Sequence, residues 1–161
     1  QHRLKNSEHS YTFYGRDVYA YTGAKLAAGL ITFEQVGPLI KGDIVRLHYQ
    51  KVIYDKSEIR GNIPVLDIQF GNVWTNIDQQ TFQKLQIETG DAVQVTIYHD
   101  NKEMDRGTIP LVRTIADVDK GKEMCYLNSL LNFSLGINNG SFSDRYRIKS
   151  GPDWVIVLRK G

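Results

Sequence analysis

From Gly42-Asp43 onward the sequence is cut into short apolar, β-branched runs, each closed by turn residues. That rhythm constrains the fold more than any other feature. Ile44–Tyr54, Gly61–Phe70, Ala92–Tyr98, Gly107–Val112, Glu123–Asn128, Phe133–Ile137 and Trp154–Leu158 read as strands, rich in valine, isoleucine and aromatics with partial alternation. Asp78–Leu85 reads as a short helix with Phe82 and Leu85 on one face, and His99-Asp-Asn-Lys as a turn. Many short strands separated by turn signals predict a β-barrel-like domain over residues 43–161.

Residues 1–42 have a different texture. The first eleven are polar and read as a loop, and Thr12-Phe-Tyr-Gly-Arg leads into Asp17, placed as a helix N-cap. Val18, Tyr21, Ala24 and Ala28 recur at helical spacing and Gly29 stops the run. Thr32 and Gln35 have capping-box spacing, which predicts a second short helix ended by Gly37-Pro38. A helix this apolar packs against something larger than the 42 residues provide. The expected class is therefore α+β, mainly β: the last helices of an α/β N-terminal domain, whose earlier part lies outside this sequence, and then the β domain.

Composition removes several functions. The 161 residues are 41% hydrophobic, enough for a real core, and the net charge of +2 comes from cations interspersed with acids. A nucleic-acid partner fits such an interspersed pattern poorly. Apolar runs are too short to span a bilayer and no signal peptide is visible, so no membrane partner and a cytoplasmic setting are expected. Cys125, the lone cysteine, has no intrachain partner, which fits a reducing compartment and a small core residue. His2, His9, His48 and His99 lack metal-ligand spacing with it, so no metal site is expected. Thr22-Gly23-Ala24-Lys25 interrupts a helix and is no phosphate loop.

The richest chemistry lies in Phe70-Gly-Asn-Val-Trp-Thr-Asn-Ile77, just after Asp67. Ring faces, side-chain amides, a hydroxyl and a glycine suit a flat, hydrogen-bonding ligand. The same residues also suit a plain strand–turn–helix junction with Asp78 as N-cap. Tyr126-Leu-Asn-Ser129 and Ile137-Asn-Asn-Gly-Ser-Phe142 add hydrogen-bonding groups at strand ends, each alone compatible with ordinary turn chemistry.

Taken in order, Thr12-Phe-Tyr-Gly-Arg-Asp-Val-Tyr-Ala, Asp67 with Phe70–Ile77, Tyr126–Ser129 and Asn138–Ser141 resemble the S-adenosylmethionine hydroxide/halide adenosyltransferase family, which includes fluorinases and chlorinases. The resemblance covers essentially the whole chain. It implies an N-terminal α/β domain followed by a β-barrel-like domain, trimeric assembly, and substitution at C5′ of S-adenosylmethionine with methionine leaving. Water or hydroxide gives adenosine and L-methionine; halide gives a halo-adenosine. No cofactor or metal is implied. A non-catalytic nucleoside-binding or oligomerisation module is the alternative.

By the same resemblance, Asn72, Asn138 and Asn139 read adenine, with Phe70 and Trp74 lining the slot and Tyr126 among the substrate-binding residues. Asp67 and Ser129 hold the amino-acid end of methionine. Phe13, Tyr14 and Gly15 line the nucleophile's pocket, with Arg16 beside them. Four positions depart from particular members. Tyr14 stands where hydroxide-using members usually carry a histidine, and Gly15 where the fluorinase carries a serine. Leu130 replaces an arginine that touches the methionine carboxylate, and Ile115 replaces an aromatic near adenine.

Overall fold

The computed structural model describes residues 2–9, 12–46 and 49–161, which fall in two units, Gln1–Leu47 and His48–Gly161. In the first unit a π-helical run, Gly15–Ala20, continues into helix α1, Tyr21–Ala27. Gly29, at φ 67°, ends it, with Leu30 N–H donating to the Lys25 carbonyl at 2.9 Å. The helix begins earlier than its apolar periodicity indicates, and Asp17 is not its N-cap. That aspartate sits inside the first turn, fully buried, because Arg16 and Arg3 hold its carboxylate from two sides.

Thr32–Gln35 forms a single turn in place of the expected second helix. The Gln35 side chain accepts from Thr32 N–H, as a capping box would, but Gly37-Pro38 follows before another turn can form. Among the described residues of this unit, only Ser7 and Asp17 are buried, while Tyr19, Leu30, Phe33, Leu39 and Ile40 are exposed. Those residues build no apolar core of their own.

The second unit is two antiparallel sheets. One carries β1 (Ile53–Asp55), β2 (Glu58–Ile63), β9 (Gly151–Lys160), β5 (Ala92–His99) and β6 (Lys102–Pro110), in that order across the sheet. The other carries β3 (Val65–Asp67), β4 (Asn72–Asp78), β8 (Asn132–Ile137) and β7 (Glu123–Leu127). Three short helical pieces complete it: α2 (Gln79–Phe82) extended by a 3₁₀ turn (Gln83–Leu85), a 3₁₀ turn at Ile115–Asp117, and α3 (Phe142–Tyr146). The chain is thus α+β and mainly β.

The sheets stay open and do not close into a barrel. Pro64, lacking an N–H, separates β2 from β3 and passes the chain from one sheet to the other. At the far seam β6 and β7 are joined through an isolated parallel bridge, Leu111 with Cys125. The strand expected over 44–54 is also corrected. Residues 44–46 and 49–52 carry no regular structure, strand begins only at Ile53, and Leu47 and His48 lie outside the described residues.

The core lies between the sheets. Ile59, Ile63, Val73, Ile77, Val93, Val95, Ile97, Leu135, Ile156 and Leu158 are each fully buried, and Phe133 packs on Phe82 with ring centroids 5.0 Å apart. Alternation along β4 decides which side chains are left for function. Val73, Thr75 and Ile77 turn inward, while Asn72, Trp74 and Asn76 point to the opposite face. Asp78 ends that strand as the α2 N-cap, accepting from Thr81 N–H at 2.9 Å. The junction and the side chains turned away from the core therefore coexist in one stretch.

Candidate functional site

The site residues expected from sequence fall in both units, and each cluster has its own geometry. In the first unit, Arg16 Nε donates to Asp17 Oδ1 at 2.5 Å, and an Arg3 nitrogen lies 3.6 Å from Asp17 Oδ2. The Arg16 hydrogen bond holds the Asp17 carboxyl below the usual carboxylate range against the opposing cost of burial. The Arg16 guanidinium also lies 4.9 Å from the centre of the Phe13 ring, and that of Arg3 5.4 Å from Tyr14. Arg16 and Arg3 thus link the buried Asp17 carboxylate to the exposed rings of Phe13 and Tyr14, with Gly15 opening the helix between them.

In the second unit a tight turn carries the chain from β3 to β4. Phe70 and Gly71 N–H both donate to the Asp67 carbonyl, at 3.1 and 2.8 Å. Gly71 has φ 68°, and a β-carbon there would fall 2.0 Å from Ser141 Oγ. Ser143 N–H donates to the Gly71 carbonyl at 3.0 Å, and Ser141 Oγ caps α3 by accepting from Asp144 N–H. The β3–β4 turn and the β8–α3 turn are therefore locked backbone to backbone. Only glycine allows that approach.

Between these two turns lies a cavity of about 940 Å³. Phe70 and Asn72 line it from one wall and Asn138 and Asn139 from the other, with Ile115 contributed by its 3₁₀ turn. Asn72 is oriented by its neighbours. Its Nδ2 donates to Asp67 Oδ2 at 3.2 Å, and its Oδ1 lies over Gly136, where a β-carbon would be 2.6 Å away. Asn138 is partly committed to the scaffold, since its Nδ2 donates to the Val118 carbonyl at 2.7 Å. Asn139, exposed and at φ 57°, forms the tip of the turn.

Beside the cavity, Trp74 and Tyr126 both lie opposite Ser134 across β4, β8 and β7. Burial pushes the Tyr126 phenol up, the Trp74 indole opposes this, and the Asp67 carboxylate raises it again, so the phenol stays protonated at neutral pH. Trp74 Nε1 is buried and makes no hydrogen bond of ordinary geometry among the described residues, although it lies close enough to Tyr126 to affect its ionisation. A buried donor without a well-aligned partner is one that a bound acceptor would satisfy.

Ser129 is exposed in the following turn. That turn is held by Asn128, whose Oδ1 accepts from Leu130 and Asn132 N–H while its Nδ2 donates to Ser134 Oγ. Asn128 is a scaffold residue and leaves presentation to Ser129. The structure thus brings Asp67, Phe70, Asn72, Asn138 and Asn139 to one cavity or its edge, and places Trp74 and Tyr126 together on the adjoining sheet face.

Sequence reasoning missed Leu66, Ile148, Arg147 and Lys149, which also line the cavity. The last three follow α3, a helix of five residues too short to show a period. Its readable signal was Ser141 as N-cap with an aspartate three residues on. Among the described residues no group of three or more histidine, cysteine or acidic side chains is arranged to hold a metal ion. No described helix is long and apolar enough to cross a membrane. Cys125 is buried against the Ile109 and Pro110 carbonyls, and burial pushes its thiol well up, as befits a core residue.

Comparison with known proteins places this geometry. The family model described as the SAM hydroxide adenosyltransferase C-terminal domain matches residues 61–155. Fluorinases from Nocardia brasiliensis and Actinopolyspora mzabensis are 33% and 29% identical over 144 and 143 residues. Each match covers 87% of this chain and 46% of the relative, so the chain spans about half the length of these curated relatives. Among solved structures, an uncharacterized conserved protein from Thermotoga maritima is 28% identical with a TM-score of 0.69, covering 99% of this chain and 58% of that one. A conserved hypothetical protein from Thermus thermophilus is 27% identical with a TM-score of 0.52, covering 92% of this chain and 51% of its own. With the matched region taking in β4, β7, β8 and both walls of the cavity, the chain belongs to the SAM hydroxide adenosyltransferase family.

Proposed function

We propose that the chain is part of an S-adenosylmethionine adenosyltransferase and supplies the adenine- and methionine-binding side of its site. The observation that carries this reading is the cavity between the two locked turns, with Asp67 at its edge and Trp74 and Tyr126 on the adjoining face. Phe70 offers a ring face to adenine, and the Asn72 and Asn139 amides offer donors and acceptors to its edge. In this reading Asp67 attracts the methionine ammonium and Ser129 contributes a hydroxyl oxygen to the same end.

The chemical step is displacement at C5′. The nucleophile's lone pair forms the new bond while the carbon–sulfur bond breaks and its electrons leave with methionine sulfur. Because the sulfonium is its own leaving group, the reaction needs no metal or other cofactor; the protein's work is positioning and partial desolvation of the nucleophile. The nucleophile is hydroxide or halide, and Tyr14 with Gly15 and Arg16 is the set on which that choice turns. Assembly as a homotrimer, by analogy with the family, would bring the remaining parts of the site together. The test is incubation of the chain and its full-length parent with S-adenosylmethionine, with and without chloride or fluoride, followed by chromatography. Adenosine or a halo-adenosine from the parent supports the reading; no adenosyl product under any condition refutes it. Binding of adenosine without turnover would instead support a non-catalytic nucleoside-binding module.

A further inference from the structure

Asp17 is the one buried acid among the described residues, and it lies in the unit that builds no apolar core. The π-helical run Gly15–Ala20 carries it, a form of helix that is rare and frequent at functional sites. A carboxylate stays charged in such a place only where cations offset its lost hydration. Arg16 and Arg3 are those cations. Arg3 is itself held, since its Nε donates to Ser7 Oγ at 3.0 Å and Ser7 Oγ donates to the Leu4 carbonyl at 2.6 Å. Leu4 N–H in turn donates to the Asp17 carbonyl at 2.8 Å, which ties this polar segment to the helix.

The two guanidiniums each reach a second group. That of Arg16 lies 4.9 Å from the centre of the Phe13 ring, and that of Arg3 5.4 Å from the centre of the Tyr14 ring. Phe13 and Tyr14 are 54% and 44% exposed, so burial does not fix their rings. A guanidinium over a ring face does, provided that the guanidinium is itself anchored. Both anchors are the same carboxylate, and neutralising it releases both rings together.

We infer that Asp17 is a positioning residue for the adenosyl-transfer step, acting through Arg3 and Arg16 to set the Phe13 and Tyr14 rings beside the nucleophile. The inference rests on the reading above that gives those rings the nucleophile's pocket. Its test uses the full-length parent with Asp17→Asn and Arg16→Gln, under single turnover with enzyme in excess over S-adenosylmethionine. The rate constant at saturating enzyme is independent of how much of a sample is folded, and calorimetry with adenosine reads the binding side separately. Asp17→Asn is expected to lower that rate constant at least ~10-fold, as small misplacements at a reacting centre do, with adenosine affinity kept within about twofold. The Arg16 side chain is largely exposed, so Arg16→Gln is expected to fold and to lower the rate constant in the same direction. In a Tyr14→Ala background Asp17→Asn should cost less than it does alone, because part of its lever is gone. Turnover by the parent with an unchanged rate constant in Arg16→Gln overturns the inference alone, whether or not Asp17→Asn folds. A loss from Asp17→Asn that is undiminished in the Tyr14→Ala background, or matched by lost adenosine affinity, overturns it too. No adenosyl product from the parent overturns the adenosyltransferase reading beneath it.

Discussion

Replacing Gly71 by alanine tests whether the cavity depends on the backbone contact between its walls. Two costs add. At φ 68° a β-carbon is disfavoured by roughly 1–2 kcal/mol. It would also fall 2.0 Å from Ser141 Oγ and 2.6 Å from Ser141 Cα; because the latter is backbone, rotating a side chain cannot relieve it. Forcing such an overlap costs about 1–3 kcal/mol more. The total of roughly 2–5 kcal/mol corresponds to a Tm loss of about 8–20 °C for a unit of this size, at ~4 °C per kcal/mol. Gly121→Ala is the control, since its φ is 79° but nothing lies within 4 Å of the added carbon, leaving the conformational cost alone. Thermal unfolding by circular dichroism, with adenosine binding by calorimetry, reads both. Equal destabilisation by the two variants, or unchanged adenosine affinity in Gly71→Ala, would refute the account of the locked turns.

Three further outcomes are expected. In the full-length parent, Tyr14→His should raise adenosine formation from S-adenosylmethionine at least ~10-fold if a general base is what that position lacks, and an unchanged rate would remove Tyr14 from the argument. Asp67→Asn should raise the KM for S-adenosylmethionine about 10–150-fold, the equivalent of roughly 1.5–3 kcal/mol for a charged hydrogen bond, with adenosine affinity little changed; equal losses for both ligands would argue against an ammonium contact. Burial, then the carboxylates of Glu123 and Glu103, push the Asp105 carboxyl up, so its ionised form opposes folding as pH rises through its folded pKa. Asp105→Asn should therefore raise Tm at pH 7 and have no such effect below the ordinary aspartate range, as a pH series of melting curves would show.

The β texture was legible because alternation and turn chemistry are local. Ala92–His99 and Lys102–Pro110 follow from their residues, and the hairpin between them turns on Asp100 and Asn101 at φ 49° and 64°. What was not legible depended on distant partners. Asp17 has the signature of an N-cap, yet it is a buried carboxylate because Arg3, from the preceding polar segment, and Arg16 converge on it. Thr32–Gln35 has a capping box but lacks the length to propagate. Barrel closure could not be read either, since it depends on whether a ladder continues past one bridge at Leu111 and Cys125. In the candidate site the stretch Asp67–Trp74 was readable from its side-chain mixture. Arg147 and Lys149 were hidden behind a five-residue helix with no period to announce it.

The meeting of Gly71 with Ser141 sets the gauge of the slot. Where two walls touch through side chains, trimming or lengthening either one can widen or narrow the gap by small steps. Here main chain meets main chain across a glycine, so substitutions nearby can repaint the lining without moving the walls. Under the proposed nucleoside reading, attempts to re-engineer this pocket for bulkier ligands should therefore work on Phe70, Ile115 and Arg147, which line the space, and leave its width alone.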